Sequence, residues 1–384
     1  MKKKVLLLNI SLRGGGAERI TSGLINNLHN EYDFTLVLLS KDQEYEIPSH
    51  IEVVYLDNQY QGYSSIKAIL RTPFLAMKLA SICKEKSIDV VLSFMYRPNY
   101  IASLSKLLYS KPKIYISERN FPSKVHKGSS FSNKLSRFLI KSLYPNADLV
   151  IPNSFEASKD LKDNFGVKNL KVINNFIDIA KIASLSNDQS EYSFDKDYFY
   201  FVTVGSLSEQ KNHELLIRAF KKASIDKAKL LIIGKGHLKV SLQNLILAEN
   251  LEEKVNLLGF KSNPFSILKN CNCFVLSSKF EGFPNVMLES MAVGLPVIST
   301  DCQSGPREIL AKDYLFDRQE TKTLTNEKYG ILVQNESIHS MSEALIKIYE
   351  NKELEHKYSK LSYERALEFD KPILMSKFKS LFDE

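Results

Sequence analysis

The sequence predicts an α/β protein made of two tandem Rossmann-like, doubly wound domains. Short apolar runs alternate with amphipathic segments along the chain, which is typical of βαβ units with a parallel sheet. The runs fall into two series, and 384 residues suit two domains better than one core. Ligands of such sheets bind at the carboxyl ends of strands, so we expect the site in an interdomain cleft.

Each series contains six predicted strands, because continuous short apolar runs suit strands covered by helices on both faces. Helical patterns lie between them, for example at residues 17–28, 66–86, 100–109, 213–222 and 238–249. The first series comprises residues 5–8, 34–39, 52–56, 89–94, 113–117 and 148–152, and the second comprises 198–204, 229–233, 254–258, 273–277, 296–300 and 330–333.

A polar stretch at residues 181–197, rich in Ser, Asn, Asp and Gln, separates the two series and is the predicted linker. We expect an N-terminal domain over residues 1–178 and a C-terminal domain over residues 179–366. Residues 367–384 are predicted to form a helix that returns to the N-terminal domain. The last two helices should break near Pro372, which cannot continue a helix.

Cysteine usage and hydropathy indicate a cytoplasmic protein. Four cysteines are too few for a disulfide framework, and we interpret them as reduced core thiols. Cys271 and Cys273 lack a second close Cys/His pair, which favours a buried strand edge over a metal site. No apolar run approaches the ~20 residues that span a bilayer.

The net charge of +8 is concentrated in one part of the chain. Residues 61–145 carry fifteen Lys/Arg against three Asp/Glu, a balance of +12, which leaves about −4 for the remainder. Such a segment indicates an anionic partner, namely nucleic acid, an acidic membrane surface or a phosphorylated substrate, or else a solvated lysine-rich face. Because finger spacings and an aromatic platform are missing, we expect no nucleic acid.

Glycine-rich turns follow three of the predicted strands. Gly14, Gly15 and Gly16 open the first helix, where small residues and free amides suit an anion. Their spacing is neither the dinucleotide fingerprint nor a P-loop. In the second series the turn at residues 205–213 carries Lys211, which can reach a phosphate as a point charge, and Gly234 follows the next strand.

Two carboxylates, Glu281 and Glu289, stand eight residues apart after the predicted strand at 273–277. A helix is predicted to start near Asn285, a good N-cap residue, so the carboxylates would flank a helix N-terminus suited to a diphosphate. A carboxylate accepts hydrogen bonds from neighbouring sugar hydroxyls. A first-turn glutamate that stabilises the helix dipole would account for Glu289 but not for Glu281.

Residues 281–289 match an E-x7-E motif, and here the sequence resembles the retaining glycosyltransferases of family four, which have the GT-B fold. The likeness covers the whole chain, with matching signatures at residues 15–19, 174–178, 205–211 and 294–298. Residues 97–102 and 143–148 resemble a bacterial subgroup, the N-acetylgalactosaminyltransferases that extend an undecaprenyl-diphosphate-linked oligosaccharide for protein N-glycosylation.

The resemblance implies transfer of a hexosamine, GalNAc in this subgroup, from a UDP-sugar to a lipid-diphosphate oligosaccharide. It implies that Lys211 binds the donor diphosphate, that Glu289 binds the donor ribose and that Glu281 contacts the transferred sugar. The glycine loop would face the sugar and the acceptor phosphate. The resemblance thus makes residues 1–178 the acceptor-binding domain and residues 179–366 the nucleotide-sugar-binding domain. The donor-binding set is therefore Ser206, Lys211, Gly234, Asn285 and Glu289, and the acceptor loop is Gly14, Gly15 and Gly16.

The sequence departs from the family at two positions. Ser206 stands where many members have an arginine that helps the lysine neutralise the diphosphate. Many members also have a catalytic histidine just past the fifth N-domain strand; here Glu118 or Arg119 takes that place, with His126 as a less favoured substitute.

The resemblance implies no metal cofactor, since Lys211 and helix amides would stabilise the leaving phosphate. The one Asp-x-Asp pair, Asp195 and Asp197, lies in the predicted linker, where we expect solvated surface. The basic segment would rest on anionic lipid at the inner face of the plasma membrane, with residues 66–86 forming either a contact helix or an ordinary core-packed helix.

Other functions remain open at this point. The same fold serves lipopolysaccharide or capsule hexosyltransferases and nucleotide-sugar epimerases, and the Glu pair would also suit a glycosidase. A non-catalytic protein that binds a nucleotide-sugar or a lipid-linked glycan is the alternative from another class.

Overall fold

The computed structural model describes residues 2–57, 69–311 and 320–384. The chain forms two compact units. Unit 1 comprises Met1–Asn175 together with Pro372–Glu384, and unit 2 comprises Phe176–Lys371. The C-terminal segment therefore belongs to unit 1.

Unit 1 contains a six-stranded parallel sheet in the order β3-β2-β1-β4-β5-β6. All six strands of the first predicted series are confirmed. The strands are β1 (Lys4–Asn9), β2 (Asp33–Leu38), β3 (Glu52–Tyr55), β4 (Val90–Phe94), β5 (Lys113–Glu118) and β6 (Leu149–Pro152).

Helices flank this sheet because its apolar runs are buried on both faces. They are α1 (Gly16–Leu28), α2 (Thr72–Lys86), α3 (Tyr96–Leu108), α4 (Pro122–Val125), α5 (Phe131–Leu143) and α6 (Phe155–Phe165). Residues 66–68 of the helix predicted at 66–86 lie outside the described residues. The core between α2, α3, α5 and the sheet includes Leu75, Tyr100, Ile101 and Ile140.

Unit 2 contains a seven-stranded sheet in the order β12-β13-β11-β10-β7-β8-β9. Its strands are β7 (Phe199–Val204), β8 (Ala228–Ile233), β9 (Val255–Gly259), β10 (Cys273–Leu276), β11 (Val297–Thr300), β12 (Leu324–Glu327) and β13 (Gly330–Val333). Six match the second predicted series. The seventh, β12, pairs antiparallel with β13 and was not predicted, because its sequence Leu-Thr-Asn-Glu has no apolar run.

The helices of unit 2 cover both faces of its sheet, as the two separate core clusters show. They are α7 (Ile179–Ser186), α8 (His213–Ala223), α9 (Lys239–Ala248), α10 (Phe265–Leu268), α11 (Asn285–Ala292), α12 (Pro306–Leu310), α13 (Ile338–Glu350) and α14 (Lys352–Leu367). The last helix, α15 (Lys371–Asp383), follows the break expected near Pro372. The fold class, two tandem doubly wound α/β domains, is thus confirmed.

The predicted linker is wrong. Residues 181–197 lie inside unit 2, and the first of them belong to α7, whose Ile179 and Ile182 are buried in the unit 2 core. The polar composition of residues 181–197 led to the wrong prediction because α7 is short and only one of its faces is apolar. Asp195 and Asp197 are exposed, as predicted.

Each sheet reverses its strand order at one point. The chain runs outward from β1 to β3 and then returns to place β4 on the other side of β1. In unit 2 it runs from β7 to β9 and then places β10 on the other side of β7. The loops that follow the two strands at such a point diverge and leave a crevice for a ligand.

The four cysteines are buried thiols, as predicted. Burial raises the pKa of Cys271 and of Cys273, which disfavours the thiolate that a metal requires. No group of three or more potential metal ligands occurs in the described ranges. None of the helices that the structure describes is long and apolar enough to cross a bilayer.

Candidate active site

Two of the predicted site residues meet at the strand-order reversal of unit 2. Lys211 lies in the turn after β7, and Glu281 lies in the loop after β10. The Nζ atom of Lys211 donates a hydrogen bond to Oε1 of Glu281 at 2.6 Å. The hydroxyl of Ser278 donates to the same carboxylate oxygen, also at 2.6 Å. Both charged side chains are largely buried, at 16% and 7% exposure.

Hydrogen bonds between the two loops fix this ion pair. Ser277 Oγ donates to the Lys211 carbonyl at 2.8 Å, and the Lys279 amide donates to the Gln210 carbonyl at 2.8 Å. The side chain of Gln210 donates to the Phe280 carbonyl at 3.0 Å. The lysine and the carboxylate are therefore held before any ligand arrives, which is what electrostatic preorganisation requires.

A glycine contact joins the turn after β7 to the turn after β8. The Gly205 amide donates to the Ile233 carbonyl at 2.9 Å, and the Leu207 amide donates to the Lys235 carbonyl at 3.0 Å. A Cβ at Gly234, whose φ is +155°, would lie 1.8 Å from the Gly205 carbonyl oxygen. Gly234 thus lets the two backbones approach and supports the Lys211 turn. Ser206 is exposed in this turn, with its hydroxyl 3.1 Å from that of Ser208.

His213 begins α8 and lies beneath the same turn. The pKa of its imidazole falls from 6.5 to about 4, chiefly through burial and then through the charge of Lys211, with the carbonyls of Ser206 and Gly205 offsetting part of the decrease. His213 is therefore neutral at pH 7, so Lys211 carries the positive charge of the turn. In the sequence, nothing about His213 at the start of a helix indicates that its imidazole would be buried and neutral.

The helix after β10, α11, carries the second carboxylate. Asn285 is its first residue and Pro284 is the N-cap, so the prediction that Asn285 caps the helix is wrong. The Oδ1 atom of Asn285 is buried and has no hydrogen-bond partner among the described residues. Glu289 lies past the first turn and is buried at 7% exposure. Its burial does not fit a glutamate that serves only the helix dipole.

The loop at residues 303–305 supports Glu281 and was missed by sequence analysis. The Glu281 amide donates to the Gln303 carbonyl at 2.8 Å, and the Ser304 amide donates to the Glu281 carbonyl at 3.0 Å. At Gly305, whose φ is +88°, a Cβ would lie 2.9 Å from the Gly282 carbonyl oxygen. The sequence Ser304-Gly305-Pro306 is typical of a turn, but nothing in it indicates that this turn pairs with the backbone of Glu281.

In unit 1 the glycine loop follows β1 and opens α1. Gly14, Gly15 and Gly16 are exposed, and Gly15 is the N-cap without a capping side chain. The Gly14 amide donates to Oε2 of Glu44 at 3.1 Å. A Cβ at Gly15 would lie 2.3 Å from Oε2 of Glu18, so a side chain there would displace that glutamate.

Glu118 is fully enclosed at the end of β5. Its carboxylate accepts hydrogen bonds from the Arg119 and Asn120 amides, both at 3.0 Å, and from the Tyr144 hydroxyl at 2.8 Å. Burial raises the pKa of Glu118 to about 7, and these hydrogen bonds offset part of the increase. Asn99 in turn donates to Tyr144 at 3.1 Å. The carboxylate thus holds the loop that carries Arg119.

Arg119 stacks on Phe94, with its guanidinium carbon 5.7 Å from the ring centre. Its Nη1 donates to the Ile173 carbonyl at 3.2 Å and to Oδ1 of Asn175 at 3.1 Å. Burial lowers the pKa of Arg119 to about 9 although the charge of Glu118 opposes the shift. The family signature at residues 174–178 therefore supports Arg119 through Asn175, a contact that sequence spacing does not reveal. His126 packs against Tyr96, with ring centres 4.6 Å apart.

Comparison with known proteins identifies the family. Residues 14–181 match the family described as Glycosyltransferase Family 4, and residues 186–365 match Glycosyl transferases group 1. A Campylobacter jejuni enzyme is 36% identical over 371 residues, which is 96% of each chain. Its name is N-acetylgalactosamine-N,N'-diacetylbacillosaminyl-diphospho-undecaprenol 4-alpha-N-acetylgalactosaminyltransferase.

This chain is a family 4 glycosyltransferase.

A second Campylobacter jejuni relative of the glycosyltransferase is 26% identical over 322 residues, or 81% of this chain and 83% of its own. Its name describes an alpha-1,4-N-acetyl-D-galactosaminyltransferase that acts on a GalNAc-containing diNAcBac-PP-undecaprenol. Among solved structures, Anabaena HepE in complex with UDP has a TM-score of 0.76 with 18% identity, and 99% of each chain is covered. This last likeness supports the GT-B fold of the glycosyltransferase.

We predict that His213→Gln makes the stability of the glycosyltransferase less sensitive to acid. The folded-state pKa of about 4 lies below the ordinary 6.5, so the stability from neutral His213 is complete above pH 6.5 and is lost as pH falls toward 4. The loss amounts to about 3 kcal/mol at ~1.4 kcal/mol per pKa unit. Urea unfolding at pH 7.5 and 4.5 should show a smaller decrease for the variant. His339→Gln, at an exposed histidine, should follow the wild type, and a His213→Gln decrease equal to the wild type's would refute the prediction.

We also predict that Gly234→Ala destabilises unit 2 by at least ~2 kcal/mol more than Gly259→Ala. Both glycines have positive φ, but a Cβ at Gly259 would have no atom within 4 Å, so that control carries only the ~1–2 kcal/mol of the left-handed backbone. At Gly234 the added Cβ would also force the turns after β7 and β8 apart, because it would lie 1.8 Å from the Gly205 carbonyl oxygen. Thermal unfolding of both variants measures the difference, and equal melting temperatures would contradict the close approach described above.

Proposed function

We propose that this glycosyltransferase moves a hexosamine, GalNAc, from UDP-GalNAc to a hydroxyl of an undecaprenyl-diphosphate-linked oligosaccharide, with retention of configuration. The observation that carries the proposal is the fixed, largely buried pair of Lys211 and Glu281 beside the start of α11. The names of the two Campylobacter jejuni relatives support the choice of sugar and acceptor.

Lys211 stabilises the charge that develops on the leaving β-phosphate, together with the free amides at the start of α11. Lys211 supplies most of the positive charge for this task, because Ser206 stands where many family members have an arginine and because His213 is neutral. In this proposal the site requires no metal ion.

The two carboxylates and Asn285 bind the sugars of the donor. Glu289 accepts hydrogen bonds from the ribose hydroxyls, and Glu281 contacts the transferred hexosamine through the oxygen that Lys211 and Ser278 leave available. Asn285, whose buried Oδ1 lacks a partner in the described part of the chain, and the backbone at Gly234 complete the donor site. Gly14, Gly15 and Gly16 receive the acceptor.

The reaction is tested with a panel of UDP-sugars and a short polyprenyl-diphosphate glycan, followed by mass spectrometry of the product. UDP-GalNAc should add N-acetylhexosamine to the acceptor. Transfer of a plain hexose alone would instead favour a hexosyltransferase of surface polysaccharide synthesis. Release of free sugar from the acceptor glycan would indicate a glycosidase, and UDP binding without any turnover would indicate a binding protein.

We predict that Lys211→Ala and Glu289→Gln each reduce turnover at least ~100-fold, the scale of one lost preorganised contact. Lys222→Ala and Glu343→Gln make the same changes at exposed positions of unit 2 and should retain wild-type rates. Steady-state kinetics with both substrates varied measures the effect. Near-normal turnover in both site variants would defeat the assignment of the donor site.

We further propose that unit 1 rests on an anionic membrane surface through two helices that both pack against α3. On α2, Phe74 and Met77 are more than half exposed while Leu75 and Leu79 face the core. The core-packed and membrane-contact alternatives for this helix are thus compatible, because they use opposite faces.

On α5, Phe131 and Phe138 are 69% and 64% exposed beside Lys134, Arg137 and Lys141. Exposed aromatic rings with basic neighbours favour an interfacial position, at ~1 kcal/mol per basic residue near the surface. Only α2, the first of the two helices, was predicted from the sequence as a membrane contact.

The protein should therefore pellet with vesicles rich in phosphatidylglycerol at low salt, and less with neutral phosphatidylcholine. Replacing Phe131 and Phe138 by serine should weaken pelleting at least ~10-fold, because two large apolar side chains leave the lipid. A variant with Val240→Ser and Leu247→Ser, at exposed apolar positions of α9 in unit 2, should pellet like the wild type. Equal pelleting of all three proteins would exclude α5 from the contact.

A further inference from the structure

Buried polar atoms that lack partners are concentrated at the carboxyl ends of β4, β5 and β6 in unit 1. They belong to Arg119, Tyr96, His126 and Asn153, and each is buried without a hydrogen-bond partner among the described residues. Burying such groups unpaired costs about 1–3 kcal/mol each, so their concentration at one edge of a sheet calls for an explanation. Ligands of doubly wound sheets bind at this edge.

The unpaired atoms of Arg119 are Nε and Nη2. These two nitrogens form one edge of the planar guanidinium, and Nη1 on the other edge is already occupied by Ile173 and Asn175. A guanidinium edge with two parallel N–H groups matches two oxygens of a phosphate or carboxylate. Arg119 is only 8% exposed, and its guanidinium is held in place by Phe94, the Ile173 carbonyl and Asn175.

The neighbouring carboxylate does not satisfy this edge. Both oxygens of Glu118 accept hydrogen bonds from Tyr144 and from two backbone amides, none of them from the Arg119 side chain. Burial lowers the pKa of Arg119 more than the charge of Glu118 raises it, so the guanidinium is a cation that lacks full compensation for its removal from water. Glu118 is therefore a positioning residue, and the unpaired edge of Arg119 is left for an anion from outside the chain.

Tyr96 and His126 supply further polar atoms at this edge of the sheet. Tyr96 begins α3 directly after β4, and burial followed by the charge of Glu118 raises the pKa of its hydroxyl, so it remains a protonated donor. Burial and the charge of Arg137 lower the pKa of His126, which is neutral near pH 7. A tyrosine hydroxyl and a neutral imidazole are donors that suit phosphoryl oxygens.

We infer that Arg119, with Tyr96 and His126, binds a phosphoryl group of the diphosphate acceptor, separately from the donor phosphates at Lys211. The inference rests on the proposed function for the source of the phosphate. It gives Arg119 a binding task that differs from replacing the family's catalytic histidine, and it places the acceptor's charge on a bidentate guanidinium edge.

Inorganic pyrophosphate is the probe, because its binding is measured by calorimetry without any transfer reaction. We expect the wild type to bind it in the presence of saturating UDP. Arg119→Gln should weaken this binding at least 10-fold, Arg119→Lys should restore part of it, and Tyr96→Phe should weaken it about threefold. Lys162→Gln, the same loss of charge at an exposed site of unit 1, should bind within twofold of the wild type.

Several results would overturn the inference. They are absence of pyrophosphate binding by the wild type, equal affinities of Arg119→Gln and Lys162→Gln, and complete displacement of pyrophosphate by UDP, which would assign the phosphate to the donor. Because Tyr96→Phe keeps the side-chain volume, it remains informative if Arg119→Gln unfolds, and unchanged affinity there would then count against the site. Pyrophosphate binding through Arg119 without sugar transfer would refute the proposed function alone, and transfer without such binding would refute this inference alone.

Discussion

The buried contact between Lys211 and Glu281 is the constraint around which the loops of unit 2 in this glycosyltransferase are arranged. An ammonium and a carboxylate 2.6 Å apart are costly to remove from water unless both are held and hydrogen-bonded. The loops after β7 and β10 meet this requirement through backbone hydrogen bonds at the strand-order reversal. Lys211 is thereby kept beside the start of α11 at a fixed position, so the proposed stabilisation of a leaving phosphate would need little reorganisation.

The remaining features of unit 2 follow from that constraint. Gly234 allows the β8 turn to support the Lys211 turn, and the loop at 303–305 supports Glu281 from the other side. His213 stays neutral, so the turn holds one positive charge instead of two. In unit 1, Arg119 is also buried and held in place, but the Glu118 carboxylate does not hydrogen-bond to its side chain. Glu118 accepts its hydrogen bonds from Tyr144 and from the backbone of its own loop, so Nε and Nη2 of Arg119 stay unpaired within the described residues.

The sequence allowed the strands of both sheets to be predicted, because apolar runs buried on both faces leave a clear pattern. It did not allow β12 to be found, since an edge strand of polar residues has no such pattern. The linker was misplaced because α7 has a single apolar face in a polar stretch. The choice of Lys211, Glu281 and Glu289 depended on their positions around a turn and a helix start, and on the resemblance of these short motifs to family four; both signals are local in sequence.

Contacts between distant segments were beyond reach from the sequence. The Ser277 bond to the Lys211 carbonyl joins residues 66 positions apart, and the Arg119 bond to Asn175 joins residues 56 apart. Burial of Glu118 likewise depends on Tyr144 and Asn99, which no spacing rule connects with β5. These contacts determine which charged groups are already satisfied and which remain available to a ligand.

We propose that a nucleotide's diphosphate binds where Lys211, Glu281 and the start of α11 meet. A crystal structure with bound UDP tests it most directly, through the distance from Lys211 Nζ to the nearest phosphate oxygen. We expect Lys211 Nζ to donate a hydrogen bond of about 2.7–2.9 Å to a phosphate oxygen, and the ribose hydroxyls to donate hydrogen bonds to Glu289. UDP bound at another place, or phosphates beyond the reach of Lys211, would contradict it.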